Sequence, residues 1–287
     1  MSQLGMNTPT NTTSSTGTDA NPIFTLHRGS TPLLISLPHV GTMIPDALKP
    51  AFVNRALAVE DTDWFLDSLY QFAHDMGASI IVPRHSRYVV DLNRPAQNAP
   101  MYAGANNTEL CPTRFFTGEP LYHDGQAPNA DQVRHRLDTF WQPYHQALAD
   151  ELARLKAAHG HALLWDGHSI RSKLPWLFEG QLPELNLGTA DGSSCAPSLR
   201  AAVMQVLERQ TQFSHVTDGR FKGGHITRHY GRPLQGVHAL QLEMCWSCYM
   251  NEANEAPPFA LDNARVERLQ PLLRALLQAL LRWAPDA

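Results

Sequence analysis

Four short, mainly apolar runs, Leu33–Leu37, Ser79–Val82, Ala162–Trp165 and Ala239–Leu242, are spaced along the chain with helical periodicity between them. Continuous apolar runs of four or five residues suit strands buried on both faces, the pattern of a largely parallel sheet covered by helices. Arg87–Leu92 (Arg-Tyr-Val-Val-Asp-Leu) is expected to add a fifth strand. A helix is expected over Asp63–Met76, where Phe65, Leu66, Leu69, Phe72 and Ala73 share one side and Asp61 or Thr62 precedes as N-cap. Others are expected over Asp131–His159 with a kink at Pro143, over Pro197–Gln210 and over Asp262–Trp283. The fold class is therefore α/β, a single domain with a mainly parallel, mixed sheet and helices on both faces.

Composition narrows the class of function. With 43% apolar and 17% charged residues the chain reads as an ordinary soluble globular protein, and its net charge of −4 comes without a basic stripe. Nucleic acid is therefore not an expected partner. Residues 1–21 are rich in Ser, Thr and Asn and lack an apolar signal core, so a disordered tail is expected there and the folded domain spans 22–287. Leu269–Trp283 is interrupted by Pro271, Arg274 and Arg282, which excludes it as a bilayer span. A cytoplasmic location follows as the expectation. The four cysteines, Cys111, Cys195, Cys245 and Cys248, are too few for a disulfide framework, and the lone Cys245-Trp-Ser-Cys248 pair lacks partners for a zinc knuckle. Buried thiols are expected.

In open parallel sheets ligands bind beyond the carboxyl ends of the strands. Three apolar runs here lead directly into residues of catalytic type: Leu-Ile-Ser-Leu-Pro-His39, Leu-Leu-Trp-Asp-Gly-His168 and Leu-Gln-Leu-Glu243. Two histidines in the same strand-end setting point to a metal, since a catalytic site typically holds its ion with three protein ligands and keeps one position open. The third ligand should be a carboxylate or another histidine, and Glu60-Asp61-Thr62-Asp63 has three acids in four residues, more than helix capping needs. Glu243 lies among apolar neighbours, where burial raises a carboxyl pKa toward the range of a working general base.

The arginines suggest an acidic ligand. Arg94 follows Asn93, and Arg228 lies with His225 in the glycine-bounded segment Gly223–Gly231. A guanidinium grips a carboxylate through two parallel hydrogen bonds, and an amide adds a donor. No Gly-x-Ser-x-Gly elbow, phosphate-binding loop or dinucleotide fingerprint is present.

Taken together, Leu34-Ile-Ser-Leu-Pro-His39-Val-Gly41, Asp61-Thr-Asp63-Trp, Val90-Asp-Leu-Asn-Arg-Pro95 and Asp166-Gly-His168-Ser-Ile-Arg171 resemble the N-formylglutamate amidohydrolase family. So do Gly219-Arg-Phe-Lys-Gly-Gly-His-Ile-Thr-Arg-His-Tyr-Gly231 and Gln241-Leu-Glu243, and the likeness runs in order from about Phe24 to Trp283. The resemblance implies a zinc-exopeptidase-like fold and one divalent ion, zinc, held by His39, an acid and His168. It implies Glu243 as catalytic base and Asn93-Arg94 as a carboxylate clamp. Metallocarboxypeptidases place a glutamate three residues after the first histidine, where this chain has Thr42, so the acid ligand is expected from the helix start. Asp63 is the first choice, because it precedes Trp64-Phe65-Leu66-Asp67, and Asp61 is the second.

The implied reaction is hydrolysis of N-formyl-L-glutamate to formate and L-glutamate, with Arg94 and Arg228 on the two carboxylates and His225 beside them. The partner is a small acidic N-formyl amino acid. Two rivals remain: a metallocarboxypeptidase or another N-acyl amino acid amidohydrolase, and a non-catalytic protein that binds acidic metabolites.

Overall fold

The computed structural model describes residues 22–99, 106, 108–253 and 257–285. The tail expected over 1–21 lies outside them. Seven strands form one sheet: β1 (Phe24–His27), β2 (Leu33–Ser36), β3 (Ser79–Pro83), β4 (Ala162–Ile170), β5 (Leu185–Gly188), β6 (His215–Thr217) and β7 (Val237–Cys245). Their order is β1-β3-β2-β4-β7-β5-β6. The central strands β3, β2, β4 and β7 are parallel, while β1 runs antiparallel to β3, and β5 antiparallel to β7. All four expected apolar runs are strands, and the sheet is mixed but mainly parallel.

The short strands β1, β5 and β6 carry no long apolar run, and so escape a search for buried periodicity. Arg87–Leu92 is not a strand. It folds into turns, with Val89 N bonded to Ser86 O and Arg94 N to Asp91 O. Its polar residues Arg87 and Asp91 bond each other across four positions, which an extended backbone would separate.

Helices α2 (Ala130–Arg136) and α3 (Gln142–His159) join through a π-helical turn, Leu137–Trp141, into one long rod. Proline lacks an N–H and crowds the carbonyl four residues back, and the widened turn stands immediately before Pro143. Asn129 starts the rod with a reciprocal capping box to Gln132. Helices α4 (Pro197–Arg209) and α6 (Asn263–Arg282) form as expected.

The helix expected over Asp63–Met76 shrinks to α1 (Leu66–Leu69) and a 3₁₀ turn at Gln71–Ala73. Phe65, in the left-handed region at φ 61°, stops the helix from starting earlier, and neither Asp61 nor Thr62 caps it.

Leu163, Trp165, Leu240, Leu242 and Leu187 face one layer, made with the leucines of α4 and α6. Leu34, Ala162, Leu164 and Ala239 face the other, made with Tyr144, Leu148, Leu152 and Leu155 of α3 and Ile226 of the short helix α5 (His225–Tyr230). Among the described residues no helix is long and apolar enough to cross a membrane. All four cysteines are buried free thiols.

Candidate active site

Strand register builds the centre of the site. β4 and β7 run side by side in parallel, with Asp166 opposite Gln241 and His168 opposite Glu243. Side chains of paired residues share a face, and neighbouring strands lie about 4.8 Å apart. His168 and Glu243 are thus brought together within the strands, two residues before each ends, rather than just beyond the ends as the sequence suggested. Gly167 points to the opposite face, where a Cβ would meet Leu37 Cδ2 at 2.7 Å and the Tyr70 ring at 3.3 Å.

His39 arrives from the turn after β2, and Asp63 from the loop before α1. Val59 and Phe65, both in the left-handed region, bracket that loop. Such conformations cost on the order of 1–3 kcal/mol each for residues with a Cβ. Asp63 N bonds His39 O at 3.0 Å, tying the two segments together. His168 Nδ1 lies 3.2 Å from His39 Nδ1 and 3.1 Å from Asp63 Oδ2, and His39 Nδ1 lies 3.6 Å from the same oxygen. All three residues are buried.

This trio fits a metal ion. Three ligands at about 2.0–2.1 Å from one tetrahedral ion would stand roughly 3.3 Å apart. Asp63 Oδ1 is buried without a hydrogen-bond partner, and the two imidazole nitrogens converge on one point beside a carboxylate. The remaining imidazole nitrogens are turned outward to acids, the usual support for metal-bound histidine. His39 Nε2 donates to Asp91 Oδ1 at 2.7 Å, and Asp166 Oδ1 stands 3.2 Å from His168 Nε2. Asp91 in turn accepts from Arg87 at 2.8 Å and from Asn93 N at 2.9 Å.

The electrostatics agree. Burial alone would raise Asp63, but the His39 and His168 rings more than offset it and hold the carboxyl below the usual range. Burial would lower His168, yet Asp166 and Asp63 keep it well above an ordinary histidine. Asp91 is held well below its ordinary value, because His39, Arg87 and Arg94 outweigh its burial. Glu243 goes the other way: burial pushes it up to about 8, although His168 pulls against the rise. Asp61, pushed up to about 6 by burial, accepts from Tyr88 and from Phe116 N and faces away from the trio. Glu60 is buried and paired with the half-exposed Arg55. Of the three acids at this position, Asp63 alone joins the histidines.

A cavity of about 70 Å³, open to solvent on one side, lies against His39 and His168. His39, His168 and Glu243 form its floor with Asn93 and Arg94, while Phe116, Ile170, Leu177 and Phe221 supply apolar wall. Its guanidinium groups come from Arg87, Arg94 and Arg220. Arg94 donates to Thr108 O at 3.0 Å and to Thr108 Oγ1 at 2.7 Å, which fixes the group.

A family model described as N-formylglutamate amidohydrolase matches residues 31–250. The chain belongs to the N-formylglutamate amidohydrolase family. The N-formylglutamate deformylase of Pseudomonas putida is 47% identical over 264 residues, covering 92% of this chain and 97% of that protein. That of Pseudomonas aeruginosa is 49% identical over 264 residues, covering 92% and 98%. A crystal structure of N-formylglutamate amidohydrolase from Ralstonia eutropha JMP134 has the same fold, with a TM-score of 0.72 at 22% identity over 90% of this chain and 95% of that one.

Within this amidohydrolase framework some expected site residues stand elsewhere. Asn93 is at the cavity, but its amide is engaged at both ends: Oδ1 accepts from Ile226 N at 2.8 Å, and Nδ2 is 2.9 Å from His168 Nε2. Arg228 and His225 do not line the cavity. Arg228 Nε donates to Gly223 O at 2.7 Å, and His225 stacks on His229 and sits beside Trp141 and His145. Sequence reading singled out Asp91 at the end of a run without giving it a role, and passed over Arg87 and Asp166 as supports and Arg220 as a lining residue. Asp91 and Asp166 each sit two residues before a noticed one, Asn93 and His168, and that spacing was the available signal.

Proposed function

We propose that this protein hydrolyses N-formyl-L-glutamate to formate and L-glutamate. The membership of the family, with two deformylases nearly half identical over 92% of the chain, carries the reading of the substrate. The buried His39–Asp63–His168 trio beside Glu243 carries the reading of the chemistry.

His39, Asp63 and His168 are the residues that would hold one divalent ion, and the nitrogen–oxygen donor set with a tetrahedral spread favours zinc. When bound, such an ion polarises a carbonyl oxygen and lowers the pKa of water toward neutrality. Glu243 accepts a proton from the attacking water and delivers it to the leaving amide nitrogen, so its raised pKa matches a group that must both take and return a proton near neutral pH. Asp166 keeps the His168 ring in place, with Asn93 packed beside it, while Arg94, fixed by Thr108, pairs with a substrate carboxylate. The apolar wall of Phe116, Ile170, Leu177 and Phe221 excludes water from the remainder of the substrate.

The test is formate release from N-formyl-L-glutamate, with metal analysis of the same preparation. Turnover that needs a stoichiometric divalent ion and stops on exhaustive chelation is the expected result. Full turnover after chelation would remove the metal from the mechanism, and no turnover with metal present would remove the substrate.

A further inference from the structure

The deformylase reading requires two carboxylates to be held at once, and the cavity presents three guanidinium groups. Arg87 is already committed. It is buried, donates to Asp91 at 2.8 Å and lies 3.6 Å from Asp63, so its charge balances the acids around the trio. The other two guanidinium groups that line the cavity are those of Arg94 and Arg220.

Connectivity sorts them. The α-carboxylate is borne by the carbon attached to the scissile amide nitrogen, so it must lie close to the ion site. Arg94 is adjacent in sequence to Asn93, whose amide touches His168. The side-chain carboxylate is separated from that carbon by two methylenes and must reach farther along the cavity. Arg220 stands on the loop between β6 and α5, with NH2 3.3 Å from Leu177 O and its guanidinium carbon 5.5 Å from the centre of the Phe221 ring. Leu177 and Phe221 are the apolar wall against which those methylenes would lie.

The loop is anchored on both sides of Arg220. Before it, Asp218 N bonds Leu187 O at 2.8 Å, and the Asp218 carboxylate accepts from Thr189 N at 2.7 Å and from Arg200 at 3.0 Å. After it, Lys222 O accepts from Ala190 N at 2.6 Å, and Gly224 N donates to Gln241 Oε1 at 2.7 Å. The backbones are so close that a Cβ on Gly188 would stand 2.5 Å from Gly223 N. Arg228 completes the anchoring through its bond to Gly223 O. A cation on a loop held this way is positioned before the ligand arrives, which lowers the ordering cost of binding.

We infer that Arg220 binds the side-chain carboxylate of the substrate and sets the preference for an acidic side chain, with Arg94 on the α-carboxylate and Arg228 holding the loop. This assignment rests on the deformylase reading.

The experiment compares kcat/KM for three substrates. N-formyl-L-glutamine keeps the shape but neutralises the side chain, and 4-formamidobutanoate keeps the distal carboxylate but lacks the α-carboxylate. Arg220→Gln should compress the formylglutamate-to-formylglutamine ratio about a hundredfold, the scale for removing one partner of a desolvated charge pair. Arg94→Gln should leave that ratio near the parent value and compress the ratio of formylglutamate to 4-formamidobutanoate instead. Arg228→Gln, which removes only the anchor on Gly223 O, should compress the first ratio less than Arg220→Gln does and leave the second near the parent value. Arg220→Lys retains a charged stem without the planar fork, and should compress the first ratio at least about tenfold, which serves if the Gln variant fails to fold. A first ratio unchanged in either Arg220 variant, or compressed by Arg94→Gln, overturns the assignment alone. A parent enzyme that releases no formate from N-formyl-L-glutamate overturns the deformylase reading and this assignment together.

Discussion

Glu243→Gln separates the cost of burying a carboxyl group from its use as a proton acceptor. In the metal-free protein burial raises Glu243 from 4.5 to about 8. Below pH 4.5 the side chain is protonated in both the folded and the unfolded chain, and contributes no pH dependence. Between 4.5 and about 8 the unfolded chain gives up this proton while the folded chain keeps it. The unfolded state then binds fewer protons, so stability falls as pH rises, by about 1.4 kcal/mol per pH unit for one group. Over the whole window that amounts to on the order of 5 kcal/mol, and the loss is complete once pH exceeds the folded value. The amide in the variant cannot ionise. The shifted groups Asp63, Asp91 and His168 are present in both proteins, so the difference between them reports Glu243 together with its coupling to His168 and Asp63. Urea unfolding of chelated parent and variant from about pH 4.5 to 8.5 measures it. The variant should gain several kcal/mol on the parent across the range. A difference that stays flat would refute the reasoning, because it would mean that Glu243 ionises in the fold as it does in water. In the metal-loaded enzyme the same substitution should lower turnover at least about a hundredfold with metal content intact.

The site geometry sets three further outcomes. His39→Ala, Asp63→Asn and His168→Ala should each lose bound metal and formate release together, and metal retained in any one of them removes that residue from the ligand set. Asp91→Asn keeps its shape but takes the anion from His39 and Arg87; chelator competition should show metal affinity down by about 10–100-fold, and unchanged affinity would deny Asp91 its supporting role. Gly224→Ala puts a Cβ 2.2 Å from Asn93 Nδ2, displacing the amide that touches His168. Turnover should drop by roughly tenfold or more with about 1–3 kcal/mol of stability, and parent-like kinetics would show that the Asn93 position does not matter.

The central sheet was legible because burial on both faces leaves continuous apolar runs, and the same runs pointed to His39, His168 and Glu243. The short outer strands β1, β5 and β6 were not. They are three or four residues long, and their identity depends on neighbours far away in sequence. Asp63 was distinguishable as an acid in excess of capping needs, but the reason it turns inward was not. That reason is backbone: the left-handed Phe65 delays α1, so Asp63 sits in a loop rather than in a helical turn. Arg87–Leu92 misled because Tyr-Val-Val has strand propensity, whereas the segment's conformation is set by its polar ends, Arg87 and Asp91, closing on one another. Arg228 drew notice because glycines flank it, while Arg220 was passed over. Gly223 serves close backbone approach to Gly188 of β5, Gly224 lines the cavity against Asn93, and Arg220 reaches the cavity from earlier in the same loop.

Charge balance explains why so costly an arrangement is built into the fold. Asp63, Asp91, Asp166 and Glu243 are all buried within one small region, and Arg87 is the guanidinium that pairs with two of them. Leaving several carboxylates in a low-dielectric interior with one fixed cation is unfavourable by several kcal/mol per unpaired charge. The metal-free protein answers with protons. His168 is held well above an ordinary histidine and Glu243 is raised to about 8, so a proton is retained at each. A dication between His39, Asp63 and His168 would do the work of the proton on His168 and favour the anionic form of Glu243, converting a neutral acid into a base. The burial that destabilises the empty site is thereby what tunes the filled one, and loading with metal should raise both the melting temperature and the fraction of Glu243 able to accept a proton. Gly224, Arg94 and the Arg220 loop line the same cavity as His168 and Glu243, from segments that the topology brings to the carboxyl ends of the central strands, so the charges proposed to read the substrate share one scaffold with the proposed ion site.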